Sequence, residues 1–447
     1  MRQKNAASKQ TQGDRTKMEK FFKLKERGTT VRTEITAGCT TFLAMAYILA
    51  VNPAILSQAG MNAASVFTAT AIAAGIATLV MAFTANLPVA LAPGMGLNAF
   101  FTFTVVLGMG YSWQTALTAV FLEGILFIVL SIFKVRQALI KAIPANLKKA
   151  VAVGIGLFIT LIGLHDGGIV SGETGTIIGF VPMKGAALVA IIGLVITIVL
   201  LCLKVKGAII IGMILTTIIG YPFGVTKIPE GFSPFSLPAA PLFFQFDFST
   251  VLSLKFFTVF FTFLFVDIFD TIGTLMGIAE QSNLKDKNGD IKNVNEALLA
   301  DAVGTVVGAA LGTSTITSFV ESTAGVAEGG RTGLTSVTTA LIFFLALFLS
   351  PLFLLVPSAA SAPALIVVGF MMMRAAANIE FTDLSEGIPA FITIMTMPFS
   401  YSIATGISWG VMSYVVCKVA SRKFKDISAL TWILFAVFVV KTVLDAV

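Results

Sequence analysis

Apolar stretches long enough to cross a bilayer follow one another along nearly the whole chain. They fall at 36–56, 63–85, 88–108, 114–133, 147–164, 185–204 and 207–224, then at 251–279, 295–311, 313–331, 334–356, 361–378, 384–402 and 404–420. Most have the length of about 20 residues that an α-helix needs to span roughly 30 Å of hydrocarbon. Only 12% of the 447 residues are charged and the mean hydropathy is +0.93, whereas a soluble domain carries about a quarter charged residues. A chain so poor in charge cannot cover a surface facing water, so the expected fold is an all-α polytopic membrane protein of fourteen spans. Seven spans per half is an odd number, so a repeated half would sit upside down relative to the first. The expectation is therefore two inverted seven-span repeats.

Lysine and arginine test the count, because cytoplasmic loops collect them. With the basic tail inside, the inner loops hold Lys134, Arg136, Lys141, Lys148 and Lys149, then Lys204 and Lys206, then Lys285, Lys287 and Lys292, then Arg331, Arg374, and finally Arg422, Lys423 and Lys425. The outer loops keep only Lys184 and Lys227. The domain plan that follows is a cytoplasmic tail (1–33), a first repeat (34–224), an extracytoplasmic connector (225–250), a second repeat (251–420), and a basic loop with one more apolar segment (421–447). Within the tail, 18–27 is expected to form a short basic helix on anionic headgroups. The apolar segment 430–447 could cross or lie against the bundle. The net charge of +7 sits in the tail and short loops, so topology explains it and no nucleic-acid partner is expected. Cys39, Cys202 and Cys417 show no metal-like spacing, and neither metal nor cofactor is expected.

Two spans are interrupted. The third contains Pro88, Pro93, Gly94, Gly96 and Asn98, a combination that no continuous helix accommodates. Its counterpart seven spans later, from Gly312 to Gly325, is dense in hydroxyl and β-branched residues and reads as half-extended. Broken backbone at membrane depth survives only where protein or a watery cavity covers it, and matched breaks in two halves point to a transport site. Carboxylates mark the same region: Asp267 and Asp270 in mid-span eight, and Glu321 in the broken tenth span. A charge at helix centre costs about 2.5 kcal/mol or more and persists where it has work to do. Glu328, by contrast, is expected to pair with nearby Arg331.

The runs TFLAMAYILAVNP, LAPGMGLNAFF, DIFDTIGTL and SFVESTAGVAEGGRTGLTS resemble the purine permeases of the nucleobase–cation symporter-2 superfamily, in the adenine/guanine/hypoxanthine (AzgA-like) branch. The resemblance covers nearly everything from Phe21 to Lys425. It implies a UraA-like fold in which spans 1–4 and 8–11 form a core and spans 5–7 and 12–14 a gate, with short strands in spans 3 and 10 facing each other at the substrate. It also implies that Asn98, Asp270 and Glu321 bind the base. Broader relatives often place Asn after the span-10 acid, where this chain has Ser322.

The residues fit that expectation chemically. A purine is a flat π-system with N–H donors and ring-nitrogen acceptors at its edges, so its site needs carboxylates or amides for the edges and an apolar face for the ring. Asp270, Glu321, Asn98 and Thr323 are candidates for the edges and Phe100 and Phe319 for the face, with the breaks at Pro93, Gly94, Gly96 and Gly325 lining the site. A carboxyl group desolvated in such a pocket can take and release protons, so proton is the expected coupling ion, with Asp270, Asp267 and Glu321 as candidates. The expected function is import of adenine, guanine or hypoxanthine at the cell membrane, with a homodimer as the candidate assembly. The alternatives are a carrier of the same fold for uracil, xanthine or an inorganic anion, and coupling to sodium. A membrane enzyme is disfavoured because the chain lacks paired histidines, reactive-cysteine motifs and nucleotide-binding loops.

Overall fold

The computed structural model describes residues 19–132, 144–172, 178–282 and 292–446, with some side chains near the end of the 254–282 helix left out. The expected inner-loop residues Lys134, Arg136, Lys141, Lys285 and Lys287, and the tail before residue 19, lie outside the described residues. The first half comprises α1 (Val31–Met45), α2 (Ile48–Gln58), α3 (Ala63–Thr84), β1 (Leu91–Pro93), α4 (Met95–Ala99) running into a π-helix (Phe100–Gly108), and α5 (Trp113–Ile132). It continues through α6 (Ala145–Asp166), a small ribbon of β2 (Val170–Ser171) and β3 (Gly179–Phe180), α7 (Ala186–Cys202) and α8 (Ala208–Gly220). The second half comprises α9 (Leu254–Ser282), α10 (Val294–Leu311), β4 (Ile316–Ser318), α11 (Ser322–Ala327), α12 (Gly333–Ala346) and α13 (Ser350–Leu354). After these come α14 (Ser358–Met373), α15 (Leu384–Phe399), α16 (Ile403–Ala420) and α17 (Ala429–Ala446). Eight of the described helical segments are long and apolar enough to cross a membrane, and others are apolar but shorter.

Local chemistry sets the helix starts. The side chains of Thr30, Asn62, Thr332, Asp383 and Ser402 accept hydrogen bonds from backbone N–H groups at the starts of α1, α3, α12, α15 and α16, satisfying donors that have no helical partner. Two groups of helices pack internally: α1, α3, α5, α10 and α12 in one, and α6, α7, α8, α14, α15 and α16 in the other. Small residues allow the close crossings that packing in lipid requires. A Cβ on Gly156 of α6 would stand 2.7 Å from the Gly369 carbonyl oxygen of α14.

β1 and β4 pair antiparallel across more than two hundred residues of sequence, Leu91 facing Ser318, Ala92 facing Thr317 and Pro93 facing Ile316. The ladder extends at both ends, with the Gly94 N–H donating to the Thr315 carbonyl at 3.0 Å and the Phe319 N–H to Ala90 at 3.0 Å. Pro93 lacks an N–H and sits at the strand's last position, where the next residue supplies the donor.

Several sequence expectations need correction. The first span is not a plain helix: at Ala46 and Tyr47 its bonds tighten, Leu49 donating to Ala46 at 3.1 Å and Ala50 to Tyr47 at 3.0 Å. The basic segment of the tail is helical only at its start and turns through 22–28. It docks on the bundle because Phe22 and Leu24 bury against Leu334 and Arg27 donates to the carbonyls of Asn86 and Arg331 at 2.7 and 2.8 Å. Glu328 pairs with Lys206 at 2.7 Å rather than with Arg331, whose guanidinium turns back to the carbonyls of Val326 and Gly330. The extra apolar segment forms α17 and packs against α16, burying Leu434 and Phe438.

Candidate functional site

The strand pair builds one wall of a pocket. Gly94, Met95 and Gly96 leave β1 into α4, and Thr317, Ser318, Phe319, Val320 and Glu321 continue β4 toward α11. α9 closes the pocket with Asp270 and Thr274, the α1–α2 step contributes Tyr47, and α14 contributes Val368 and Met372. A wider cavity of about 200 Å³ continues from it, sharing Asp270, Thr274, Val320 and Met372 and adding Val151, Ala152, Ile155, Met371 and Ala375. These residues lie toward the ends of α6 and α14 that carry Lys148, Lys149 and Arg374.

Glu321 accepts a hydrogen bond from the Tyr47 hydroxyl at 2.5 Å, and both side chains are buried. Asp270 faces the hydroxyl of Thr317, the residue at the ladder's centre. Ser318 Oγ has no hydrogen-bond partner among the described residues. Ser322, which stands where broader relatives place Asn, uses its hydroxyl to accept from the Ala90 N–H at 3.0 Å. That bond locks the start of α11 onto the strand pair.

The expected residues separate into those at the pocket and those behind it. Asp270, Glu321, Phe319, Gly94 and Gly96 line it. Asn98 is fully buried one turn further along, accepting from the Ser314 hydroxyl, and its Nδ2 has no partner among the described residues. Phe100 is buried edge-on against Phe263, with centroids 4.8 Å apart. Thr323 spends its hydroxyl on the Val320 carbonyl, while Gly325 lets α11 press against Ala37 of α1. Asp267 faces away from the pocket: the Thr271 hydroxyl lies 3.4 Å from its carboxylate and 2.9 Å from Asp301. Pro93 ends β1 without lining the pocket.

Sequence reading passed over Tyr47, Asp301 and Glu123. Glu123 accepts from the Thr315 hydroxyl beside β4 at 3.0 Å. Both acids were visible by the criterion that found Asp270, a carboxylate inside an apolar run. Tyr47 carried a fainter signal: the chain has 5 tyrosines against 39 phenylalanines, and a phenol at membrane depth needs a partner for its O–H.

The chemistry of the pocket is that of two carboxylates from different helices, hydroxyl groups between them, and apolar walls of Phe319, Val320, Val368 and Met372. Such a site accepts N–H groups at the edge of a flat, uncharged ligand and offers no cationic side chain to an anion among its described lining.

Residues 32–409 match the family model described as the Permease family. The chain is 47% identical over 429 residues to a putative permease of Methanocaldococcus jannaschii, covering 95% of this chain and 98% of that one. It is 45% identical to the guanine/hypoxanthine permease PbuO of Bacillus subtilis, covering 93% and 98%, and 42% identical to the adenine permease AdeQ of Escherichia coli, covering 96% of each. Among solved structures, the transmembrane domain of the cyanobacterial bicarbonate transporter BicA superposes with a TM-score of 0.65 at 15% identity, covering 85% of this chain and 97% of that one. At that identity the likeness is one of fold. The chain therefore belongs to the Permease family, within the nucleobase–cation symporter-2 purine permeases, and is a multi-pass membrane transporter rather than an enzyme.

Proposed function

We propose that this chain imports purine nucleobases across the cell membrane by proton symport, binding the base in the pocket between β1, β4 and α9. The observation that carries the reading is the convergence of Asp270 and Glu321 on one pocket with apolar walls. Two carboxylates accept the N–H groups of a base, and Phe319 and Val320 meet its ring. The names of the similar guanine/hypoxanthine and adenine permeases support the substrate class. A carboxylate that must lose its hydration when the pocket closes gains from binding a proton at that moment, which favours protons as the coupling ion.

The same reading divides fourteen spans into two inverted repeats, 34–224 and 251–420, joined by the connector 225–250. The group containing α1, α3, α5, α9, α10 and α12 acts as the core that carries the site, and the group containing α6–α8 and α14–α16 acts as the gate it moves against. With the N-terminus in the cytoplasm, the cavity beside Val151 and Ala375 opens inward, so this conformation would release its cargo to the cytoplasm.

Uptake of labelled adenine, guanine, hypoxanthine, uracil and sulfate by cells expressing the protein tests the proposal, each with and without a proton uncoupler and with sodium replaced. Accumulation of a purine that collapses with the uncoupler is expected. Uptake of sulfate alone would overturn the substrate class, and accumulation that follows sodium instead would overturn the coupling ion.

A further inference from the structure

We infer that Tyr47 is the positioning residue of the site: its hydroxyl holds one oxygen of Glu321 so that the other is the oxygen presented to the ligand. The inference rests on the reading of Glu321 as the acid that meets the base. The two residues are 274 positions apart, both are buried, and the Tyr47 hydroxyl donates to Glu321 Oε1 at 2.5 Å.

The backbone around Glu321 is already fixed. The Phe319 N–H donates to Ala90 at 3.0 Å, the Ser322 hydroxyl accepts from the Ala90 N–H at 3.0 Å, and α11 begins at Ser322. What the strand pair leaves free is the Glu321 side chain, with three rotatable bonds ending in a carboxylate. Side-chain freedom of that kind must be given up when a ligand binds, and a partner that fixes the rotamer beforehand removes the cost. Tyr47 supplies it from outside the strand pair. It stands at the tightened step between α1 and α2, lines the same pocket, and is held by a rigid ring with only two side-chain torsions.

The bond also sets how Glu321 can read a ligand. A free carboxylate offers two side-by-side oxygens and takes a donor pair in bidentate fashion. With Oε1 already accepting from Tyr47, Oε2 is the oxygen whose acceptor sites are both open, so the acid reads chiefly one N–H group and the rest of the edge falls to its neighbours in the pocket, among them Ser318 with its unpartnered hydroxyl.

The test uses the full chain in lipid nanodiscs. Glu321→Gln identifies the Glu321 carboxyl band in the infrared difference spectrum, and Tyr47→Phe is expected to move that band without any ligand present. Tyr47→Phe should also weaken hypoxanthine binding by up to about tenfold in the parent, the cost of ordering one free side chain on binding. In the Glu321→Gln background it should cost no more than about threefold, because coupled residues are non-additive. An unmoved band, or equal weakening in both backgrounds, overturns the inference. A band that moves in a protein binding no purine leaves Tyr47 in place and sinks the purine reading instead. If Tyr47→Phe does not reach the membrane, 3-fluorotyrosine in place of tyrosine keeps the shape and strengthens the donor, and the Glu321 band must then move.

Discussion

Lys206 and Glu328 meet at 2.7 Å, joining the turn between α7 and α8 to the end of α11, and so one packed group of helices to the short helix that leaves the site. Both side chains are partly exposed, and a pair of that kind contributes under about 1 kcal/mol to stability. If the two groups move against each other as proposed, its leverage is on their relative position. Lys206→Glu and Glu328→Lys should each change the maximal rate of uptake severalfold while leaving the substrate concentration for half-maximal uptake nearly unchanged. The double reversal should restore the parent rate. If the doubly reversed protein is as slow as either single variant, the pair plays no part in the motion.

Gly96 offers a steric test of the same motion. A Cβ at Gly96 would stand 2.6 Å from Ile155 Cγ2, across the boundary between α4 and α6. Overpacking of this degree costs about 1–3 kcal/mol. Gly96→Ala should lower uptake about tenfold at unchanged protein level, and adding Ile155→Ala should recover most of it by removing the atom that clashes. Failure of the second change to help would place the defect in the backbone of α4 instead.

Asp383 caps α15 at its N-terminus, accepting from the Ser385 N–H at 3.0 Å, and its carboxylate lies 2.6 Å from the Lys423 ammonium. These contacts, Lys423 foremost, hold its pKa down at about 2, below the usual 3.8. A carboxyl group whose folded value is depressed stabilises the protein above its unfolded value, and the contribution disappears as pH falls from about 4 to about 2. Thermal melting in detergent should therefore show a drop across that window that Asp383→Asn reduces, since asparagine keeps the cap but not the charge. An identical drop in the variant would assign it to other carboxyl groups.

Much of this arrangement is legible in the chain because membrane depth makes polarity expensive. Pro93, Gly94 and Gly96 stand out in an apolar run, as do Asp270 and Glu321, and the structure brings the last four of these to one pocket. What sequence could not supply was direction. Asp267 and Asp270 lie three apart and share a helix face to first order, yet one meets the Thr271 hydroxyl, which also bonds Asp301, and the other faces Thr317. Asn98 and Phe100 follow the break but rotate behind the wall, because α4 lasts a single turn before the π-helix begins at Phe100. Tyr47 was hard to place for the opposite reason: a phenol at membrane depth signals that it needs a partner, but nothing local says that the partner lies 274 residues away.

The two acids at the pocket can be separated by function. Asp270→Asn and Glu321→Gln keep size and hydrogen-bonding capacity while removing the charge, so they ask whether ionisation is needed rather than shape. Glu321, fixed by Tyr47 at the start of α11, is the better placed to read the base. Its neutral variant should lose about tenfold to a hundredfold in affinity, the worth of one hydrogen bond to a charged group. Asp270 lines both the pocket and the wider cavity, the position the proposed proton carrier would need. Asp270→Asn should still bind and exchange purine across the membrane but no longer accumulate it against a gradient. Binding by calorimetry, counterflow exchange and net uptake, measured on the same preparations, distinguish these outcomes. Net accumulation equal to that of the parent in both variants would mean that neither carboxylate couples transport and that the proton travels by another group.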